Sequence, residues 1–187
     1  AQAAVVSCAA SAALYAAPAL VSRCVHATQL PFEARAAETL RGVCPPGYVS
    51  PLGSLTLVEL DEAVKSLLHA PGAWPMGDLA AAFSLFWLLA CVTYGVDIPS
   101  GLFVPAIVTG AAMGRMAGQA VELAVPAVAL DPGAMALVGA AAFLAGITRL
   151  TISAVVIVVE TTSSTSYLVP VALAVLAAKH VGDLFTA

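Results

Sequence analysis

A helix start interrupts the apolar part of this sequence, at Ile98-Pro99-Ser100-Gly101-Leu102-Phe103-Val104-Pro105. The first turn of a helix leaves backbone N–H groups without intrahelical partners and carries the positive end of the helix dipole. Such a start can hold an anion with backbone atoms alone. In a bilayer, irregular backbone is tolerated only where it is buried in protein or lines a cavity, so this break predicts a transport site.

The composition is typical of a membrane protein. Hydrophobic residues make up 61% of the chain and charged residues 10%, with a mean hydropathy of +0.99, whereas average soluble chains carry about 25% charged residues. Asp, Glu, Lys and Arg are absent from 79–96, 98–114, 132–148, 150–159 and 161–178. Several of these segments reach the roughly 17 to 25 residues that cross a bilayer. The net charge of −4, without a basic stripe, excludes nucleic acid as a partner.

The chain is therefore predicted to be an all-α, polytopic membrane protein with short, tilted and broken helices. Hydrophobic segments and helix breakers place membrane helices at 3–22, 77–96, 101–120, 131–147, 149–162 and 166–185, and an extracytosolic loop at 23–53. Asp131 and Pro132 have the residue types of a helix cap and a first helical position. A further helix at 54–70 is predicted to be amphipathic, with its apolar face either on the membrane surface or on the protein.

Three glycines in the predicted 101–120 helix are spaced four residues apart, at Gly110, Gly114 and Gly118. This spacing puts all three on one face of the helix. Bare backbone on one face lets a neighbouring helix approach closely in lipid. These glycines are therefore predicted to pack against another helix.

The four cysteines are of two kinds. Cys8 and Cys91 lie in apolar stretches and are expected to be packing residues. Cys24 and Cys44 bracket the polar loop, and a disulfide between them requires an oxidising, non-cytosolic side of the membrane. Two free thiols at these positions are an equally open alternative. The spacing of the cysteines predicts no metal site.

The motifs resemble those of the CLC family of chloride channels and chloride/proton antiporters. The segment 101–105 is similar to the family's GxFxP motif, and Gly110-Ala111-Ala112-Met113-Gly114-Arg115 continues its pattern. Further blocks similar to eukaryotic-type members are Asp131-Pro132-Gly133, 139–153, 158–162 and 179–183. The resemblance covers 77–185 well and the first 76 residues loosely.

The resemblance implies that residues 1–187 are a partial CLC-type transmembrane domain, the C-terminal part of the family's membrane domain. It assigns the backbone N–H groups of Leu102 and Phe103 as ligands of the anion. Gly101 would keep side chains away from the ion, and Pro105 would fall where a missing N–H costs little. Chloride is then the transported ligand, no cofactor is expected, and the implied partners are membrane lipid and a second copy of the chain through 149–185.

Two mechanisms and one contrasting function stay open. Passive conduction and proton-coupled exchange both fit, because the family's gating glutamate has no counterpart in this sequence. The contrasting hypothesis is that the chain is a non-transporting structural membrane segment or a piece of an intramembrane enzyme. The sequence has no Ser-His, Asp-Asp or His-Glu-x-x-His arrangement, which favours a chain that is not an enzyme. Because it lacks an initiating Met, we expect an internal piece of a longer, multi-pass protein, in a plasma or an organelle membrane.

Overall fold

The structure is a computed structural model that describes residues 2–21, 24–26, 44–45, 48–69, 74–95, 101–125, 130–162 and 165–185. It is an all-α membrane fold. The helices are α1 (Gln2–Val21), α2 (Pro51–Thr56), α3 (Leu60–His69), α4 (Met76–Tyr94), α5 (Phe103–Ala124), α6 (Pro132–Thr148), α7 (Thr151–Thr162) and α8 (Leu168–Phe185). A 3-10 turn at Thr165–Tyr167 precedes α8.

Three of these helices are long and apolar enough to cross a membrane, namely α1, α4 and α8. Two others, α6 and α7, are apolar but shorter. The pattern of long and short apolar helices confirms the prediction of short and broken membrane helices.

The predicted helix at 54–70 is wrong in one respect, because the structure has two helices there. Ser50 caps α2, its hydroxyl accepting a hydrogen bond from the N–H of Gly53 at 3.0 Å, and Pro51 occupies the first helical position. Helix α2 ends at Thr56, with Leu57 as its C-cap, and α3 begins at Leu60. The apolar face of α3 packs on the protein, where Ala63 and Leu67 are fully buried against α5 and α6.

The predicted loop at 23–53 also holds regular structure. Strands β1 (Val25–His26) and β2 (Tyr48–Val49) pair antiparallel, with Val25 opposite Val49. Cys24, next to β1, is joined to Cys44 by a disulfide with 5.9 Å between the Cα atoms. Of the two alternatives left by the sequence, the structure therefore has the disulfide.

The free cysteines do not pack as expected. Cys8 and Cys91 are both exposed on the surface of the chain. They lie on the outward faces of α1 and α4. The sequence did not predict this exposure, because a helix that is apolar all round has no single face that its pattern assigns to the interior.

Helices α5 and α6 form the centre of the fold. Buried alanines of these helices contribute to two apolar clusters, one shared with α2, α3 and α4 and the other with α7 and α8. A Cβ on Gly110 would lie 2.7 Å from the carbonyl oxygen of Gly139 and 2.8 Å from the Cα of Ala140. Gly114 likewise faces the carbonyl oxygen of Met135, whereas Gly118 faces the Met135 side chain. At Gly110 and Gly114, α5 thus packs directly on the backbone of α6.

Candidate functional site

The site predicted from the sequence is the N-terminus of α5. The helix begins at Phe103, with Leu102 as the N-cap (φ −89°, ψ −31°) and without a hydrogen bond from a capping side chain. It therefore starts two residues later than the predicted 101–120 helix, and it ends at Ala124, four residues later. Residues 96–100, which include the Ile98 to Ser100 part of the motif, lie outside the described residues.

The backbone N–H groups of Leu102, Phe103 and Val104 precede the first bond of the helix. That first bond runs from the N–H of Ala106 to the carbonyl of Leu102, at 3.2 Å. Within the described ranges, no hydrogen bond occupies the N–H of Leu102 or of Phe103. Pro105, the third helical residue, has no N–H, and at this position a helix has no acceptor for one. The start of α5 therefore offers backbone donors and the positive end of a 22-residue helix.

The surroundings of this start are open. Phe103 is 44% exposed and Val104 is 41% exposed, while Leu102 is half-buried. A Cβ built on Gly101 would meet no atom within 4 Å. Nothing in the described part of the chain thus requires a glycine at 101 for steric reasons, and the role of Gly101 in keeping side chains from an ion stays a prediction.

Hydrogen bonds tie both ends of the α4 and α5 pair. The hydroxyl of Tyr94, the last residue of α4, donates to the carbonyl of Gly101 at 3.4 Å. At the other end, the Gln119 side-chain amide donates to the carbonyl of Trp74 at 3.0 Å. Sequence reasoning missed both residues, because an isolated Tyr or Gln in an apolar helix has no spacing pattern that reveals its partner.

A second polar site lies at the start of α6. Asp131 caps this helix as predicted, its carboxylate accepting from the N–H of Gly133 at 3.0 Å. The Tyr167 hydroxyl donates to the other carboxylate oxygen at 3.3 Å. His69 lines a cavity of about 180 Å³ beside these residues. The described residues contain no group of three or more His, Cys, Asp or Glu side chains that could hold a metal ion.

A match to one protein family covers almost the whole chain. A family model described as "Voltage gated chloride channel" matches residues 2–183. The chain belongs to this chloride channel family. The match also includes residues 2–76, which the motifs alone connected to CLC proteins only loosely.

Curated CLC relatives are about 40% identical to this chain. Chloride channel protein CLC-b of Arabidopsis thaliana is 41% identical over 144 residues, and the human H(+)/Cl(-) exchange transporter 7 is 38% identical over 144 residues. Chloride channel protein A of Dictyostelium discoideum is 40% identical over 143 residues. Each alignment covers 76% of this chain but only 16% to 18% of the relative. The chain thus spans less than a fifth of the length of these CLC proteins, whose names include both channels and exchangers.

Family membership places this chain in a multi-pass membrane protein. The apolar helices α1, α4 and α8 agree with that assignment. The α5 start belongs to the segment that the family model matches. Its backbone donors therefore lie within the part of the chain that identifies the chloride channel family.

Proposed function

We propose that this chain contributes to transmembrane chloride transport, as part of a CLC channel or a chloride/proton antiporter. The anion is held by the backbone N–H groups of Leu102 and Phe103 at the start of α5. One observation carries the proposal: these N–H groups precede the first helical hydrogen bond of α5 and have open surroundings. The membership of the chain in the chloride channel family supports chloride as the anion.

Partial charges suit this task better than a buried lysine or arginine. An ion that must pass through needs a site strong enough to replace its water and weak enough to release it. A helix terminus contributes about 0.3 to 2 kcal/mol to a nearby charge. The α5 start is therefore one of several groups that converge on the ion, and the others come from parts of the protein outside this chain.

The proposed chemistry involves no bond making. Chloride is the transported ligand, and neither a cofactor nor an enzymatic step is part of the proposal. The curated relatives carry the names of channels and exchangers, which supports transport over catalysis.

The disulfide supports an orientation for the loop. Disulfides persist in oxidising compartments and are rare in the cytosol. We therefore assign Cys24, Cys44 and the loop at 23–53 to the extracytosolic side of the membrane.

The outer faces of α7 and α8 support a homodimer through 149–185. Large apolar side chains on these helices are strongly exposed in the single chain, with Ile152 at 81%, Leu173 at 63% and Phe185 at 86%. Another protein surface or lipid must cover them. In the proposed assembly, a second copy covers part of this surface and each protomer keeps its own anion site.

Flux measurements test the proposed function. The full-length protein that contains this chain is reconstituted in liposomes under a chloride gradient, with and without a pH gradient, and protein-free liposomes serve as the control. Chloride flux above the control is expected. A reversal potential that shifts with pH identifies an exchanger, and one set by chloride alone identifies a channel. Absence of anion flux from demonstrably folded protein would contradict the proposal.

A further inference from the structure

We propose that Tyr94 is a positioning residue of the anion site, because its hydroxyl orients the peptide group that supplies the N–H of Leu102. The inference rests on the proposed function, since it concerns the same helix start. Tyr94 lies at the end of α4, seven residues before Gly101, and its hydroxyl reaches across the connection to α5.

The peptide bond between Gly101 and Leu102 connects the hydroxyl of Tyr94 to the anion site. The carbonyl of Gly101 and the N–H of Leu102 belong to the same planar unit, and in a trans peptide they point in opposite directions. The described residues contain no cis peptide bond. The hydroxyl that holds the Gly101 carbonyl on one side therefore directs the Leu102 N–H to the other side.

The helix itself restrains the next peptide group but not this one. The carbonyl of Leu102 accepts the first helical hydrogen bond, from Ala106 at 3.2 Å, and this bond fixes the N–H of Phe103 in the same unit. No capping side chain binds at Leu102, and Gly101 has no Cβ that could pack. The two proposed ligands are thus held by different means, Phe103 by the helix and Leu102 by Tyr94.

The same bond strengthens the donor. Hydrogen bonds in a chain polarise one another, by about 10–30% per bond. A hydroxyl that donates to the Gly101 carbonyl increases the positive charge on the Leu102 N–H. Loss of the hydroxyl leaves the peptide free to turn its carbonyl oxygen, which repels an anion, toward the site.

The variant Tyr94→Phe tests this role in the full-length protein in liposomes, because it removes the hydroxyl and keeps the ring. A net hydrogen-bond contribution of ordinary size predicts a half-saturating chloride concentration about two- to tenfold higher than in wild type. We also expect a changed nitrate-to-chloride permeability ratio, which a loss of folded protein would not alter.

The matched control is Tyr167→Phe. It removes a hydroxyl that makes a hydrogen bond of similar length, 3.3 Å to Asp131, at the start of α6. Its half-saturating chloride concentration and permeability ratio should equal those of wild type. Wild-type values for both quantities in Tyr94→Phe would overturn the inference.

A second variant keeps the test decisive if Tyr94→Phe fails to fold. Incorporation of 3,5-difluorotyrosine at position 94 preserves the shape of the residue and makes the hydroxyl a stronger donor, at a pH where the phenol stays protonated. The half-saturating chloride concentration should then fall, and an unchanged value would overturn the inference. Failure of the proposed function is a separate result, because the wild-type protein would then show no anion flux.

Discussion

Gly114 lies where α5 and α6 pack with no room for a side chain. A Cβ at this position would overlap the carbonyl of Met135 and would lie 3.0 Å from the Cα of Gly139. Because these are backbone atoms, neither can move aside by a change of rotamer. The glycine is thus required by packing, and it fixes the distance between the two central helices.

The variant Gly114→Ala should therefore lower the stability of the protein by about 1 to 3 kcal/mol, the usual effect of overpacking. The control is Gly146→Ala on α6, where a Cβ would meet no atom within 4 Å. This second change should be neutral or slightly stabilising, since Ala favours a helix more than Gly. Melting temperatures of the purified variants check the prediction, and equal values for the two would contradict it.

At the residue scale, the sequence predicted the backbone features better than the side-chain contacts. Gly101 and Pro105 located the start of α5 to within two residues, because their backbone preferences act locally. The complete burial of Arg115 was not predicted. It depends on the packing of the other helices around α5, which no local pattern encodes. The contact between Tyr94 and Gly101 was missed for the same reason.

Among the elements, α6 shows how local chemistry sets a helix boundary. Asp131 accepts from the N–H of Gly133, and Pro132 occupies the first helical position. Both features were predicted from the sequence, since capping and proline preferences act within a few residues. The break between α2 and α3 was missed because the apolar spacing continues across it. The start of α2 did have a signal, the cap of Ser50 with Pro51 at the first helical position, but it falls within the predicted loop.

The variant Asp131→Ala should lower the free energy of unfolding by about 1 kcal/mol, since it removes the N-cap. It also removes the acceptor of the Tyr167 hydroxyl. Asp131→Asn is the control, because Asn caps helices about as well as Asp. Denaturant unfolding of the two variants in detergent checks the prediction. A loss as large in Asp131→Asn would mean that the charge of Asp131, and not its cap, stabilises α6.

The disulfide constrains the segment between α1 and α2. It closes a loop with a sequence separation of 20 residues, for which the chain-entropy model predicts a stabilisation of about 3 kcal/mol. The double variant Cys24→Ser/Cys44→Ser should therefore melt at a lower temperature, whereas Cys91→Ser, which removes a free thiol, should melt near wild type. Reduction of the denatured wild-type protein should expose additional thiols to maleimide, two of them at positions 24 and 44. Reaction of Cys24 and Cys44 before reduction would contradict the bond.

For the whole molecule, the main feature is apolar surface that the chain cannot bury by itself. The outer faces of α1, α4, α7 and α8 carry exposed leucine, valine and aromatic side chains. The membrane-protein class was predictable from the sequence, since the bilayer, and not the details of packing, sets the composition and the length of the apolar segments. Which faces contact lipid and which contact protein was not predictable, because lipid and protein interior are equally apolar.

The proposed dimer gives a prediction at this scale. The variant Leu173→Trp, on α8, should raise the dissociation constant of the dimer about tenfold or more, because it overpacks a close interface. The control is Leu20→Trp on α1, which is 82% exposed and outside 149–185. Single-molecule photobleaching in liposomes measures the dimer fraction. Equal dimer fractions in wild type and Leu173→Trp would place the interface elsewhere.

Bromide substitution tests most directly whether backbone donors at the start of α5 hold the anion. Crystals of the full-length protein are grown with bromide in place of chloride, and the anomalous signal locates the ion. We expect a peak within hydrogen-bonding distance of the N–H groups of Leu102 and Phe103. A protein that conducts bromide but shows its anomalous peaks only away from the start of α5 would contradict the assignment.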